Sequence, residues 1–374
     1  MAYYFKLPLV TDLTPEQQLA LDELGAISIS GGAGTGKTVV SLWRHLNNIQ
    51  LLNKYSVLVT YTKTLDFYIR ASLDSMEDKE EHKEPLSSYV YSLKTLPIGR
   101  KFEGKWKVSE IIIDEAQDLE YNKLQEIAKY GDLISYGADF NQQLYENRVT
   151  ENGIEELFPN NESYNLQLIF RNSYHVLNFV KSVLPDFSIN QDSLNLLLKG
   201  NQLNIKPHIG IKPKLFITDC NDNQINKMIE IINSFKSDTH NIAVLLPFGD
   251  YSEESVENYH KLLSDRDINC SKYYNKMNTD NIKIFNVHVT TYKSVKGLEF
   301  DTVIVPFMDR FKEYTQKDVF PHVVNEEDYY VAFTRAKSNL YLFSNQELGF
   351  ISEDLCDIER VSNFALSLEE EIPF

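Results

Sequence analysis

The sequence predicts an α/β protein with two domains, each built on a parallel sheet. Short, β-branched and nearly continuously apolar runs alternate with longer amphipathic stretches, as buried parallel strands alternate with helices. The chain has 374 residues, which at about 150 residues per domain favours two domains, with three as the upper estimate. With 43% apolar and 12% aromatic residues, such domains can bury substantial cores.

Nine segments have the length and composition of buried strands. They are Ala26–Ser30, Tyr55–Thr60, Glu110–Asp114, Leu133–Gly137, Lys214–Thr218, Ile242–Leu246, Val287–Thr291, Thr302–Val305 and Leu340–Phe343. A turn-rich stretch, Pro159–Ser163, separates the first four from the other five. We therefore expect domains at residues 1–158 and 159–358, followed by an acidic tail at residues 359–374.

Composition also excludes several classes of protein. The 37 basic and 54 acidic residues give a net charge of −17, so a surface-wide basic footprint for nucleic acid is absent. Any nucleic acid would bind in a local groove or with the help of a partner. No apolar run reaches the roughly 18 residues of a membrane span, and the N-terminus lacks the pattern of a signal peptide. Three widely spaced cysteines exclude a disulfide framework, so we expect a cytoplasmic protein.

The segment Gly31–Thr38, with the sequence GGAGTGKT, matches the phosphate-binding pattern GxxxxGK[ST] in full. It follows the strand Ala26–Ser30 and precedes a helical stretch at Val39–Asn47, which is the context that the pattern requires. Glycines let backbone N–H groups surround phosphate, Lys37 would neutralise the β- and γ-phosphates, and Thr38 would ligate Mg²⁺. A simple Gly-rich turn is the alternative, and it requires neither Lys-Thr nor these flanks. The predicted nucleotide contacts are Gly32, Ala33, Gly34, Thr35, Gly36, Lys37 and Thr38.

The apolar strand Glu110–Asp114 ends in a pair of carboxylates, Asp114 and Glu115, within the sequence DEAQD. Beside a phosphate loop, Asp114 would hold Mg²⁺ through water, and Glu115 would polarise the attacking water as general base. Solvated acids at a strand end are the alternative for this pair alone. That alternative is weak for a pair that accompanies GGAGTGKT.

These two segments together resemble UvrD-like superfamily 1 helicases, and five further motifs agree with that family in order. They are LTPEQ at 13–17, GADFNQQLY at 137–145, FRNS at 170–173, KSVKGLEFD at 293–301 and YVAFTRAK at 330–337. The ordered set covers most of the chain, which makes the resemblance specific. It implies an α/β fold of two RecA-like P-loop NTPase domains with ATP in the cleft between them.

The resemblance also implies contacts with the nucleoside. Gln17 would read the edge of adenine, and Phe170, which replaces a family tyrosine, would stack on its face. Glu299 would contact the ribose, with Gly297 beside it.

Catalytic roles follow from the same resemblance. Gln142 would sense the γ-phosphate, while Arg171 and Arg335 would reach from the second domain as arginine fingers. Taken singly, Arg171 could instead cap a helix, and Arg335 could pair with Glu326 or Glu327. The catalytic set that the motifs predict is Lys37, Glu115, Gln142, Arg171 and Arg335.

Four residues match family positions that contact nucleic acid. They are Thr60, Tyr61, Thr62 and Lys293. Tyr61 keeps an aromatic ring where the family has phenylalanine, although an ordinary strand-end tyrosine is an equal alternative. Lys293 replaces a family histidine and can still meet a phosphate. Asn147 stands where the family has a base-stacking aromatic, and the loss of such a stack forfeits about 1–3 kcal/mol per base.

Two functions remain open from the motifs. The first is a single-stranded DNA translocase or helicase, with 3′→5′ polarity by resemblance. The second is an ATP-gated switch or clamp within a larger DNA repair or phage-defence complex, with no unwinding of its own. Asn147, the net charge and the short spacings from Thr62 to Asp114 and from Ser173 to Thr290 favour the second. The intact KGLEFD and TRAK sequences, together with Tyr61, favour the first.

The last residues, LSLEEEIPF at 366–374, are similar to the acidic tip of bacterial single-stranded-DNA-binding proteins. In such a tip, an aromatic anchor and the terminal carboxylate stand together, and the acidic run would meet a basic rim on a partner. Ile372, Pro373 and Phe374 are therefore a candidate docking tip. A frayed tail, or a segment packed on this chain's own second domain, is the alternative.

Overall fold

The computed structural model contains two parallel β-sheets, one in each half of the chain. It describes residues 3, 7–60, 69–70, 89–93, 95–96, 107–140, 147–187, 189–200, 206–247, 252–274, 277, 284–315 and 324–361. The predictions on Tyr61, Thr62, Gln142 and the docking tip at 372–374 lie outside the described residues.

The first sheet brings the two phosphate-site segments to one edge. Its strands are β1 (Ile27–Ser30), β2 (Ser56–Thr60), β3 (Val90–Ser92), β4 (Val108–Ile113), β5 (Gly131–Ala138) and β6 (Glu162–Asn165). Their order is β3-β2-β4-β5-β1-β6, and every pairing is parallel. Because parallel strands end at the same edge, the loops after β1 and β4 open side by side, separated only by β5.

The second sheet places two further motifs next to each other. Its strands are β7 (Lys214–Thr218), β8 (Ile242–Leu246), β9 (Ser271–Tyr273), β10 (Val287–Thr291), β11 (Phe300–Val305), β12 (Ala336–Ser344) and β13 (Asp357–Val361). The order is β13-β7-β12-β11-β8-β10-β9, again parallel throughout. Phe300 pairs with Ala336, so Glu299 and Arg335 stand together where β11 and β12 begin.

All nine predicted strands are present, with ends shifted by a few residues, which confirms the predicted α/β fold class. The four strands that the sequence did not predict are β3, β6, β9 and β13, and each lies at an edge of its sheet. An edge strand is paired on one side only and can be short and polar, so it carries no continuous apolar run.

Two of these edge strands extend their sheets past the predicted domain boundaries. β6 pairs with β1, so the turn-rich stretch at 159–163 runs into a strand of the first sheet. That sheet extends past residue 158, because backbone hydrogen bonds to β1 hold a segment with little apolar signal of its own. β13 pairs with β7 and carries the second sheet past residue 358 into the predicted tail. The division at those two numbers stays a prediction.

Helices cover the sheets within the described part of the chain. They are α1 (Pro15–Asp22), α2 (Lys37–Gln50), α3 (Tyr121–Ala128), α4 (Glu151–Leu157), α5 (Tyr174–Val183), α6 (Gln191–Lys199), α7 (Asn221–Phe235), α8 (Ser252–Ser264), α9 (Phe311–Tyr314) and α10 (Glu326–Thr334). None of these described helices is both long and apolar enough to cross a membrane. The largest buried apolar cluster includes Leu42 and Leu58 from the first domain and Phe300 and Phe333 from the second. The two domains therefore share packed surface beside the cleft.

A buried polar network anchors α2, the helix that follows the phosphate loop. Nε of Arg44 lies 2.7 Å from Oε1 of Glu110 on β4, and NH1 donates to the carbonyl oxygen of Glu23 at 2.6 Å. Asn48 donates to the other oxygen of Glu110. This pairing compensates two charges that would be costly to bury alone, and it ties α2 to the strand that carries Asp114.

Two buried histidines make stability depend on pH. Burial lowers the pKa of His45 and of His288 to about 3. An unfolded histidine titrates near about 6.5, so below that pH the unfolded chain binds protons that the folded chain does not. The contribution of these two histidines to the free energy of unfolding is therefore fully present above about pH 6.5. It falls as the pH decreases toward 3, by about 2 kcal/mol per histidine at pH 5.

Urea denaturation at pH 7.5 and pH 5 measures this loss. We expect His45→Gln and His288→Gln each to lose less stability between the two pH values than the wild type. Comparing each variant with itself removes any general destabilisation by the substitution. An equal loss in all three proteins would contradict the assignment.

Candidate active site

The phosphate loop runs from the end of β1 to the start of α2. Gly31, Gly34 and Gly36 adopt positive φ angles of 146°, 76° and 93°. A Cβ atom at Gly34 would stand 2.8 Å from the Cβ of Arg171, so a side chain at Gly34 does not fit. The glycines thus allow the left-handed turns of the loop and a close approach of the second domain.

Lys37 lies within the loop that it is predicted to serve. Its Nζ donates to the carbonyl oxygens of Gly31 (2.6 Å) and Gly32 (3.0 Å) and lies 3.9 Å from Oδ2 of Asp139. Thr35 donates to the carbonyl oxygen of Gly32 and is buried, as Ala33 is. The ammonium group is therefore positioned at the phosphate end of the cleft.

Thr38 and Asp114 are adjacent, as the predicted metal site requires. The Thr38 hydroxyl donates to Oδ2 of Asp114 at 2.8 Å. Oδ1 of Asp114 is buried and has no hydrogen-bond partner among the described residues. Burial and the charge of Glu115 raise the pKa of Asp114. An unpartnered carboxylate oxygen beside a hydroxyl fits Mg²⁺, which binds through few protein oxygens together with substrate phosphates.

No cluster of three histidine, cysteine, aspartate or glutamate side chains that could hold a metal ion occurs in the described part of the chain.

Glu115 is held in a strained and polar environment. Its backbone has a left-handed φ of 58°, which is uncommon for a residue with a side chain and clusters at functional sites. Gln117 donates to Oε2 of Glu115 at 2.6 Å and accepts from the backbone of Asp139. Burial by itself raises the pKa of Glu115, but the charges of Lys296 and Lys37 outweigh it and lower the pKa below its usual value. The carboxylate is thus kept ionised, as a general base must be.

Lys296 joins the two domains, a role that the sequence analysis did not assign. Its side chain is 1% exposed, and Nζ lies 2.6 Å from Oδ2 of Asp118 and 3.6 Å from Oε2 of Glu115. A lysine within KSVKGLEFD therefore contacts two of the three acids of DEAQD in the other domain, Glu115 and Asp118. The motif KSVKGLEFD drew attention to this segment, but no local pattern indicated which carboxylates Lys296 would contact.

A cavity of about 1090 Å³ lies between the phosphate loop and the second domain. The four residues predicted to contact the nucleoside, Gln17, Phe170, Gly297 and Glu299, all line it. Gln17 is largely committed to the protein, because its side chain accepts from Thr14 N (2.9 Å) and donates to Thr35 O (2.8 Å). One N–H and one lone pair of the amide remain for a base.

Tyr3 forms hydrogen bonds with the backbone of Glu299, a contact that no pattern in the sequence predicts. The Tyr3 hydroxyl donates to the backbone oxygen of Glu299 and accepts from its backbone nitrogen at 3.3 Å. The Tyr3 ring packs edge-on against Phe300 at 5.5 Å. The peptide of Glu299 is thereby held on both sides.

The two predicted arginine fingers have different surroundings: Arg171 lines the cleft, whereas Arg335 is buried behind it. Arg171 lines it and forms an ion pair with Glu299, with 2.7 Å between Nε and Oε2. Arg335 is 1% exposed and donates to the carbonyl oxygens of Val331 (3.0 Å) and Leu298 (3.2 Å). Burial and the nearby charge of Arg171 lower the pKa of Arg335 to about 10. Arg335 is still protonated at neutral pH, and its positive charge helps to lower the pKa of Glu115 and of Glu299.

The described residues predicted to contact nucleic acid differ in exposure. Thr60 is completely buried in β2, and its contact with nucleic acid stays a prediction. Lys293 is partly exposed, with Nζ 3.8 Å from Oδ2 of the buried Asp328. Asn147 is exposed and has a φ of 57°, a conformation that asparagine tolerates.

A phosphate loop on one parallel sheet, with cationic side chains from a second sheet beside it, is the arrangement of a two-domain RecA-like protein. Comparison with known proteins agrees. The family described as UvrD-like helicase C-terminal domain matches residues 73–347, well over half of the chain. This chain belongs to the UvrD-like helicase family and is a superfamily 1 helicase-like ATPase.

One relative and two solved structures that resemble this chain share 25% or less of its sequence. A protein of Acanthamoeba polyphaga mimivirus, named as an ATP-dependent DNA helicase, is 25% identical over 90% of this chain, which spans 49% of that protein. An arterivirus nonstructural protein 10 helicase shares 15% identity at a TM-score of 0.43, over 91% of this chain and 63% of that one. The same helicase in complex with DNA gives a TM-score of 0.41 at 15% identity, over 91% of this chain and 64% of that one. TM-scores below 0.5 are too low to support an assignment.

Proposed function

We propose that this chain is a Mg²⁺-dependent ATPase that uses hydrolysis in the interdomain cleft to move its domains along single-stranded DNA. The contact of Lys296 with Asp118 and Glu115 carries the proposal, because it joins the predicted general base and a neighbouring carboxylate of one domain to the other domain. Opening or closing of the cleft then changes the environment of the general base. By resemblance to the family, movement has 3′→5′ polarity.

Hydrolysis follows from the side chains in the cleft. Glu115 accepts a proton from water as the water oxygen bonds to the γ-phosphorus of ATP. The bond from that phosphorus to the β,γ-bridging oxygen breaks, and ADP carries away the electron pair. Lys37, Arg171 and Arg335 balance the charge that develops on the phosphate oxygens. Thr38 and Asp114 would hold Mg²⁺, which would neutralise further phosphate charge when bound.

The choice of DNA as the polymer rests on the family and on the mimivirus relative, whose name assigns it to DNA helicases. On this chain, Lys293 offers a partly exposed cation at the start of KSVKGLEFD. Phosphate contacts by lysine supply affinity that does not depend on sequence.

A second function, an ATP-gated switch or clamp in a larger complex, is favoured by Asn147. This exposed asparagine stands where the family places a base-stacking aromatic. Without that stack, a single strand binds more weakly and steps are harder to couple to hydrolysis. In this function the domains still move with the nucleotide, but a partner protein receives the movement.

ATPase assays with and without single-stranded DNA separate the two functions. A translocase is expected to hydrolyse ATP at least tenfold faster with DNA, and the effect should decline with added salt because phosphate contacts release counterions. A rate that DNA leaves unchanged would favour the switch. Lys37→Ala, which removes the phosphate-binding cation, measures the background of the preparation.

Strand displacement on a 3′-tailed duplex is expected to be weak or absent for the isolated chain. The reasons are Asn147 and the short spacings within the motor, which leave little apparatus for splitting a duplex. Processive unwinding by the pure monomer would contradict the switch and establish the helicase.

A further inference from the structure

Asn172 connects the phosphate loop to the segment that carries Arg335. Its side chain is completely buried. The amide nitrogen donates to the carbonyl oxygens of Thr334 (2.9 Å) and Ala336 (2.6 Å), the two residues that flank Arg335. Because both amide hydrogens are used, exchange of the amide nitrogen and oxygen would break both bonds. The side chain therefore has one orientation.

The opposite end of the amide faces the phosphate loop. Within the described residues, Oδ1 of Asn172 has no hydrogen-bond partner, and it lies 3.2 Å from the point that a Cβ of Gly34 would occupy. A buried, unpaired oxygen is costly and calls for an explanation. Neighbouring backbone atoms are bonded to the same two regions: Phe170 N donates to Gly34 O (3.0 Å), and Ser173 N donates to Lys337 O (2.7 Å).

We propose that Asn172 is a positioning residue that keeps Arg335 in register with the phosphate loop. Asn172 turns one end of its amide toward the loop, and with the other end it holds the backbone on both sides of Arg335. Together with the bond from Phe170 N to Gly34 O, this arrangement links a displacement of the loop to the backbone that carries the guanidinium group. This proposal rests on the proposed function, because register matters only if Arg335 acts on ATP.

A double-mutant cycle tests the proposal through Asn172→Ala, Arg335→Lys and the double variant. Misplacement by about 1 Å at a reacting centre can cost about 100-fold in rate. We expect Asn172→Ala to lower kcat for ATP by about 10- to 100-fold, with a change in KM below about threefold. In the Arg335→Lys background, the same substitution should lower kcat by less than about threefold, because its effect acts through Arg335.

The cycle distinguishes positioning from a structural role. Equal losses of kcat in both backgrounds, or an unchanged kcat in Asn172→Ala, would overturn the proposal. Asn172→Asp, which has the same shape but lacks both donors, replaces the alanine variant if that variant does not fold. A wild type without ATP turnover would instead overturn the proposed function, and this inference with it.

Asn286→Ala is the matched control. Asn286 is also buried and donates through its amide to a backbone carbonyl, that of Ser237, at 2.7 Å. Neither Asn286 nor Ser237 is among the residues that line the cleft. We expect Asn286→Ala to lose thermal stability while kcat stays within about twofold of the wild type. A loss of kcat in this control equal to that of Asn172→Ala would assign both effects to stability and overturn the proposal.

Discussion

Replacing Arg335 by alanine is expected to lower kcat for ATP by about 10³- to 10⁵-fold, the range for loss of an arginine finger. The expectation rests on burial: Arg335 is 1% exposed, and its charge interacts with those of Glu115, Glu299 and Arg171. A charge in such a dry site acts strongly on the transition state. Because the ground-state nucleotide gains less from it, the Kd for ATP should change by less than about tenfold. Single-turnover hydrolysis and equilibrium binding of a fluorescent ATP analogue measure the two quantities.

Two further variants separate chemistry from folding. Arg335→Lys keeps a positive charge but loses the planar fork that bonds to Leu298 and Val331, so an intermediate kcat is expected. Arg310→Ala removes a half-exposed arginine, paired with Glu313, from the same domain and should leave kcat unchanged. An Arg335→Ala protein that folds and turns over at the wild-type rate would reduce Arg335 to a structural residue.

Glu115→Gln is expected to bind ATP and stall, with kcat lowered by about 10²- to 10⁴-fold. The amide has the shape of the carboxylate, and its oxygen can still accept the bond from Gln117. What it lacks is the capacity to take a proton from water. Lys296 keeps its closer partner, Asp118 at 2.6 Å, so the contact between domains should survive. Single-turnover hydrolysis with a parallel binding titration tests the prediction.

Glu120→Gln is the control from the same loop. Glu120 is exposed and pairs with Arg148 at 2.8 Å, so its neutralisation should alter neither kcat nor ATP binding. If Glu115→Gln hydrolysed ATP nearly as fast as the wild type, the assignment of the general base would be wrong.

Local sequence was sufficient for the elements whose cause is local. A central strand buried on both faces must be apolar along its length, so the nine central strands could be predicted. The turns of the phosphate loop require positive φ angles at Gly31, Gly34 and Gly36, so the glycine spacing predicted them. The edge strands β3, β6, β9 and β13 could not be predicted in this way, since each depends on backbone bonds to one neighbour.

The sequence by itself determined which chemical groups this protein has: a phosphate loop, a pair of carboxylates and a set of cations in a fixed order. Only the tertiary structure decided which groups meet. Asp118 and Lys296 are 178 positions apart, and no local pattern pairs them. Only the tertiary structure buries Thr60 in the sheet, and only the tertiary structure places Asn172 between two distant motifs. The physical reason is that charge, burial and reach act through space: Glu115 stays ionised because folding places Lys296 and Lys37 beside it.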